Sequence, residues 1–113
     1  MSGCIFCRIV SGEIPSQKIY EDDRVIAFKD INPRAPVHLL VVPRKHLASV
    51  LELGPEDSDL GGHVLHVLGQ LARQEDLAGR GFRIVSNCGQ EGGQTVDHLH
   101  FHLLGGRRLG AMG

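Results

Sequence analysis

Residues 98–104 read His98-Leu99-His100-Phe101-His102-Leu103-Leu104, three imidazoles alternating with apolar side chains. Alternation is the period of an extended strand, whose successive side chains point to opposite faces. The pattern predicts a strand over residues 96–104, with His98, His100 and His102 on one face and Leu99, Phe101 and Leu103 on the other. At a rise of roughly 3.3 Å per residue, neighbouring His Cα atoms then stand about 6.6 Å apart. The apolar face would seat the strand on a core, and the imidazole face would line a site.

Three readings of that face compete. A merely polar face is disfavoured, because three imidazoles leave poorly paired polar groups wherever they are covered. His-x-His on a strand can place two rings on one zinc ion. A neutral imidazole can also attack an electrophile such as phosphorus. The preceding segment, Asn87-Cys88-Gly89-Gln90-Glu91-Gly92-Gly93-Gln94-Thr95, favours the last. Glycines let a loop bring backbone N–H groups close to an anion, and Asn87, Gln94 and Thr95 add side-chain donors. A structural metal has no use for such donors, whereas a phosphate ester does.

The rest of the chain supplies the frame. Residues 18–21 and 25–30 flank Asp22-Asp23 and read as a β-hairpin. Two prolines make residues 32–36 a loop, and residues 38–42 form an apolar strand stopped by Pro43. One long helix is predicted over residues 57–77, where Leu60, Val64, Val67, Leu68 and Leu71 recur at three- and four-residue spacing. Gly79 and Gly81 would close it. A short helix is expected over residues 5–11, and another strand over residues 82–87. Strands joined by short turns and packed on one main helix predict an α+β fold, with all 113 residues in one domain.

Composition narrows the function. Twelve Lys+Arg against thirteen Asp+Glu give a net charge of −1, too little basic surface to grip a nucleic acid polymer. A small anionic ligand remains open, since one cluster of donors can hold it. Apolar runs no longer than residues 39–42 cannot span a membrane. Met-Ser-Gly-Cys opens the chain without a basic segment and apolar run, so the expected compartment is the cytoplasm. There the Cys4-x-x-Cys7 pair favours a metal or redox role over a disulfide framework. His63 and His66 fall on the long helix and are assigned no chemistry, and Cys88 has no activating partner.

His-x-His-x-His followed by two apolar residues resembles the signature of the histidine-triad superfamily, and the chain is most similar to its Hint branch of nucleotide-binding proteins. The likeness runs through Ile5-Phe6-Cys7-Arg8-Ile9, Gly12-Glu13-Ile14-Pro15, Tyr20-Glu21-Asp22-Asp23, Asp30-Ile31, Ala35-Pro36-Val37-His38, Val42-Pro43-Arg44-Lys45-His46, Gly92-Gly93-Gln94 and Gly105-Gly106-Arg107. The resemblance implies an antiparallel five-stranded sheet with one long helix and a short N-terminal helix. It also implies a homodimer, a purine nucleotide substrate (AMP- or GMP-like), and cleavage of the P–N bond of purine nucleoside 5′-phosphoramidates through a nucleotidyl-histidine intermediate. The middle histidine of the family motif, His100 here, would be the nucleophile. His102 and His38 would stabilise charge at the α-phosphate. Gln94 and Thr95 would hold phosphate oxygens or the leaving group, beside Gly93. Asn87 would meet the ribose–phosphate end, Asp30 the ribose hydroxyls, and Phe6, Ile9 and Ile31 the purine. Some bacterial relatives with the same cysteine pair look like zinc proteins that use the positions of Cys4, Cys7, His46 and His98, which implies a structural zinc and no cofactor in catalysis.

Rival readings are a dinucleoside polyphosphate hydrolase, which usually carries Gln at the position of His102, and a nucleotide-binding regulator with incidental catalysis. The chain departs from the pattern at its end. Animal members finish in Trp-Pro-Pro-Gly, this one in Leu109-Gly110-Ala111-Met112-Gly113, so the tail's part in leaving-group preference and dimer contact is not carried over.

Overall fold

A computed structural model describes residues 3–112. Helix α1 (Ile5–Val10) leads into strands β1 (Lys18–Glu21), β2 (Val25–Lys29) and β3 (Val37–Pro43). Two single 3-10 turns precede helix α2 (Ser58–Gln74), and strands β4 (Phe82–Val85) and β5 (Phe101–Gly105) complete the chain. The five strands form one sheet in the order β1-β2-β3-β5-β4, with every neighbouring pair antiparallel. This is the expected α+β arrangement.

Alternation along β2 and β3 sorts the core into two layers. Val25, Ala27, Leu39 and Val41 face α2, meeting Leu60, Val64, Val67, Leu68 and Leu71. Ile26, Phe28, Leu40 and Val42 face the other way and pack on Phe6 and Ile9 of α1. β3 is therefore apolar on both sides, as a central strand covered by a helix on each face must be. Leu99 and Leu103 belong to the α2 layer. The three histidines take the opposite side, where the Phe6 ring stands edge-on to His98 and His100 at centroid distances of 6.0 and 5.0 Å.

Three boundaries differ from the sequence expectation by more than one residue. Helix α2 ends at Gln74, not near Leu77, and Asp76 at φ +61° makes the left-handed residue expected of Gly79 or Gly81. Leu77 then turns back, its N–H on Ala72 O (2.8 Å), and buries its side chain. β4 stops at Val85, two residues short of expectation, and the next residue, Ser86, donates its hydroxyl to His100 O at 2.8 Å.

The third difference matters most. β5 begins at Phe101 rather than residue 96, so His98 and His100 precede the ladder and only His102 lies within it. The cause is Pro43. It has no N–H to offer, and its carbonyl accepts from the His98 ring, Nε2 to O at 2.8 Å. Leu99 N–H turns instead to Leu47 O, at 2.6 Å.

Candidate active site and metal centre

Each histidine of the motif has one ring nitrogen committed to the surrounding structure, and those partners assign the tautomers. Nδ1 of His100 lies 2.7 Å from His98 O, an acceptor, so it carries the proton and Nε2 keeps its lone pair. The ring is buried. In β3, His38 Nδ1 accepts from the backbone N–H of Arg34 at 3.1 Å, which puts the His38 proton on Nε2. That proton has two acceptors, His102 Nδ1 at 2.9 Å and Asp30 Oδ2 at 3.3 Å. With Nδ1 accepting, His102 presents Nε2–H as a donor.

Electrostatics keeps the His38 and His102 rings uncharged. Burial pushes His102 down to about 4, helped by the neighbouring His100 and His38. Burial also lowers His38, against the pull of the Asp30 carboxylate. His100 and His102 stand 5.1 Å apart between ring centroids, so nucleophile and donor adjoin.

A cleft of about 680 Å³ opens beside them, lined in part by Asp30, Arg34, His38, Asn87, Thr95 and His102. Ligand pockets commonly span roughly 300–1,000 Å³. Of the proposed nucleotide contacts, Asp30, Asn87, Gly93, Thr95 and His102 meet in this lining. Asp30 Oδ1 is already engaged by the N–H of Asn32 at 2.8 Å.

Five expected contacts fall outside this lining. His100 is one of them, buried beside His102 rather than lining the cleft itself. Gln94 spends its amide on the loop, Nε2 donating to Ala48 O (2.6 Å) and Val96 O (3.0 Å) while Oε1 accepts from Gly89 N–H (2.9 Å). It braces the Gly-rich segment rather than offering a phosphate donor. Phe6 and Ile9 are buried in the α1 layer, and Ile31 is 91% exposed, all three outside the cleft lining. The apolar positions of α1 are core because that helix must cover the sheet. Conversely, sequence reading passed over Arg34 and Ser86. Both line the cleft, and each fixes the histidines through a bond involving backbone, which no sequence pattern marks.

A second cluster lies at the start of the chain. Cys4 caps α1, its sulfur accepting from Cys7 N–H at 3.2 Å, which brings both thiols to the helix start. His98 Nε2–H is spent on Pro43 O, so Nδ1 carries the lone pair. That nitrogen stands 3.3 Å from Cys4 Sγ, 3.5 Å from Cys7 Sγ and 3.1 Å from His46 Nδ1, and Cys7 Sγ stands 3.1 Å from His46 Nδ1. Bonds of about 2.0–2.1 Å to nitrogen and about 2.3 Å to sulfur give tetrahedral edges of roughly 3.3–3.8 Å. The observed 3.1–3.5 Å separations sit at or slightly inside those edges, and the Cys₂His₂ donor set suits a tetrahedral ion in kind. Burial, followed by the Cys4 sulfur, pushes the Cys7 thiol up to about 11, an imbalance that a divalent cation would reverse.

Comparison with known proteins agrees with this geometry. The family model described as HIT domain matches residues 11–109. A HIT-like protein of Synechococcus elongatus is 50% identical over 105 residues, covering 93% of this chain and 91% of its own length. The purine nucleoside phosphoramidase of Escherichia coli is 44% identical over 108 residues, 96% of this chain and 91% of the relative. Among solved structures, a histidine triad protein from Clostridium difficile superposes with a TM-score of 0.95 at 47% identity, covering 100% of this chain and 98% of that one. With the sheet order, the paired histidine rings and these matches in agreement, the chain belongs to the HIT domain family.

Proposed function

We propose that this protein hydrolyses the P–N bond of purine nucleoside 5′-phosphoramidates through a nucleotide bound covalently to His100. The observation that carries the reading is the 2.7 Å bond from His100 Nδ1 to His98 O, which in the neutral ring leaves the Nε2 lone pair as the nucleophile, next to His102 at the edge of the cleft. The E. coli relative, named a purine nucleoside phosphoramidase, supports the substrate class.

Nε2 of His100 attacks the α-phosphorus, the P–N bond breaks, and the amine leaves with a proton drawn from solvent, which is returned when water attacks in the second step. Water then attacks the phosphorus, returning the ring and releasing the nucleoside monophosphate. Covalent capture divides one difficult displacement into two easier ones. His102 Nε2–H donates to a phosphate oxygen, held in that tautomer by His38. Asn87, Gly93 and Thr95 bound the cleft on the Gly-loop side, and Asp30 is the acceptor for ribose hydroxyls. Donors aimed at developing charge lower such barriers by a few kcal/mol each.

Cys4, Cys7, His46 and His98 would hold one zinc ion, which joins the start of α1 to the segment before β5. Free thiols suit a reducing compartment, the cytoplasm. No helix among the described residues is long and apolar enough to cross a membrane. A homodimer would form along β4, one of the two edge strands, whose Phe82 and Ile84 are both exposed.

Adenosine 5′-phosphoramidate given to wild type and His100→Ala tests the reading. Wild type should release AMP and, quenched mid-turnover, carry a nucleotidyl mass on the peptide containing His100, whereas the variant does neither. Undiminished hydrolysis by His100→Ala rejects it. Metal analysis after chelator-free purification should find about one zinc per chain, lost in a Cys4→Ser, Cys7→Ser variant.

A further inference from the structure

The nucleophile sits where the sheet does not hold it. His100 is one residue short of β5, and the antiparallel register with β3 ends at the Val41–Phe101 pair. Three anchors fix residues 98–100 instead. Leu99 N–H bonds Leu47 O, Ser86 Oγ bonds His100 O, and the His98 ring is clamped between Pro43 O and the Cys4, Cys7 and His46 donors. His98 thus has two tasks in one residue. Its side chain is a metal ligand by geometry, and its carbonyl is the acceptor that decides which nitrogen of His100 is nucleophilic.

A second path reaches the same ring. Phe6 lies between the two cysteines in sequence, and its ring packs edge-on against both His98 and His100. Whatever fixes Cys4 and Cys7 also fixes Phe6, and with it one wall of the His100 ring. α1 has only six residues, too short to hold its position by helix propensity alone.

We propose that the Cys4–Cys7–His46–His98 centre is a metal-dependent positioning device for the nucleophile, setting the orientation and tautomer of His100 through the His98 carbonyl and the Phe6 ring. The centre is then more than a structural staple. Emptying it should leave the nucleotide cleft standing, because Asp30, Asn87 and His102 are held by β2, β3, β5 and the Gly loop. The transfer step should suffer, since misplacement of a reacting group by about 1 Å can cost a hundredfold in rate. The centre is also accessible. His46 is exposed, and a cavity of about 550 Å³ is lined by Cys4, Ile5 and His46, so metal can be withdrawn and restored.

This inference rests on the phosphoramidase reading for its rate measurement but not for its spectroscopic one. The full-length protein is stripped with a chelator, reloaded with zinc, and compared with His46→Ala, which removes the most exposed ligand. Circular dichroism first establishes that each form is folded. On metal loss, single-turnover nucleotidyl transfer to His100 should fall at least tenfold, while AMP affinity changes less than twofold. The ¹⁵N signal of the His100 Nδ1–H should broaden or move in the absence of any substrate, and zinc should restore both. An unchanged ring signal and rate in the folded, metal-free protein would overturn the proposal, as would an equal loss of rate and AMP affinity. If no phosphoramidate is turned over by any form but the ring signal still follows zinc, the catalytic reading fails and the coupling survives.

Discussion

Nε2 of His38 lies 2.9 Å from Nδ1 of His102, and the direction of that hydrogen bond is set from outside the pair. The N–H of Arg34 occupies the far nitrogen of His38, so His38 must donate and His102 must accept. A backbone amide in the proline loop thereby decides that His102 shows a proton to the cleft. His38→Ala removes the donor that orients His102 and should lower kcat for adenosine 5′-phosphoramidate by about 10- to 100-fold, with a smaller change in KM. His38→Gln keeps an N–H near the same place and should recover part of the loss. Steady-state kinetics on the two variants checks this, and equal rates in both would remove His38 from the chain of donors.

The same burial makes stability depend on pH. An unfolded histidine takes up its proton near pH 6.5, whereas His102 in the folded chain does so only near 4. Between those values the unfolded chain binds the extra proton and the folded one does not, so the folded state weakens as pH falls from about 6.5 to about 4. The groups facing His102 are His100, His38, Asp30 and Arg34, of which only Asp30 pulls the other way. Urea unfolding at pH 7, 5.5 and 4 should show midpoints dropping with pH. The drop should be shallower in His102→Asn, and parallel curves would show that the ring titrates normally.

Gly92 closes the Gly-rich loop against its own backbone. A Cβ at that position would stand 2.3 Å from Cys88 O, a contact no rotamer can relieve. Gly92 O also accepts from Asn87 Nδ2, so displacing the turn moves a cleft residue. Gly92→Ala should cut kcat/KM by at least tenfold and cost about 1–3 kcal/mol of stability. Gly61→Ala, inside α2 where nothing lies within 4 Å of an added Cβ, is the control: activity should stay unchanged and stability should rise, by up to about 1 kcal/mol, rather than fall.

How far the sequence foretells these features depends on whether side-chain type or backbone carries them. The His-x-His-x-His alternation places three rings on one side of the chain because the alternation outlives the ladder: Leu99 and Leu103 stay in the α2 layer although β5 starts only at Phe101. The apolar period of α2 selects Leu60, Val64, Val67, Leu68 and Leu71, but not the helix end. Asp76 adopts φ +61° where glycines three and five residues on were the better local candidates. Gln94 is by type a candidate phosphate donor, but its amide is satisfied by three backbone groups that only the folded loop brings near. Arg34 acts through an N–H that every residue but proline possesses, so nothing in its identity announces the role.

Asp22 ties the β1–β2 hairpin to α2. One carboxylate oxygen accepts from the N–H groups of Arg24 and Val25, the other from Tyr20 Oη–H and His63 Nε2–H. Burial alone would raise its pKa, but the Tyr20 hydroxyl, the two amides and His63 together hold it well below the usual carboxylate range. Asp22→Ala strands four donors and should destabilise the fold by about 2–3 kcal/mol in urea unfolding. His63→Ala should cost clearly less, since it leaves the hairpin bonds in place. Phosphoramidate hydrolysis by folded Asp22→Ala should stay within about twofold of wild type, because the cluster touches none of the cleft residues.

β4 bears on how many chains make the working unit. It is the outer strand beside β5, and Phe82 and Ile84 share one of its faces, 40% and 39% exposed. An edge strand with free backbone groups and apolar side chains is a template for pairing, and natural monomers blunt such edges with charge. The charged residue here, Arg83, is turned to the tail, donating to Gly110 O at 2.8 Å. Antiparallel pairing of β4 with its copy would continue the sheet through the molecular twofold and bury both Phe82 side chains. Sedimentation should therefore find a dimer at micromolar concentration, and Phe82→Lys should shift it toward monomer by adding like charges across the axis. A wild-type protein that sediments as a monomer under those conditions would leave β4 a solvent-facing edge and remove the dimer from the proposal.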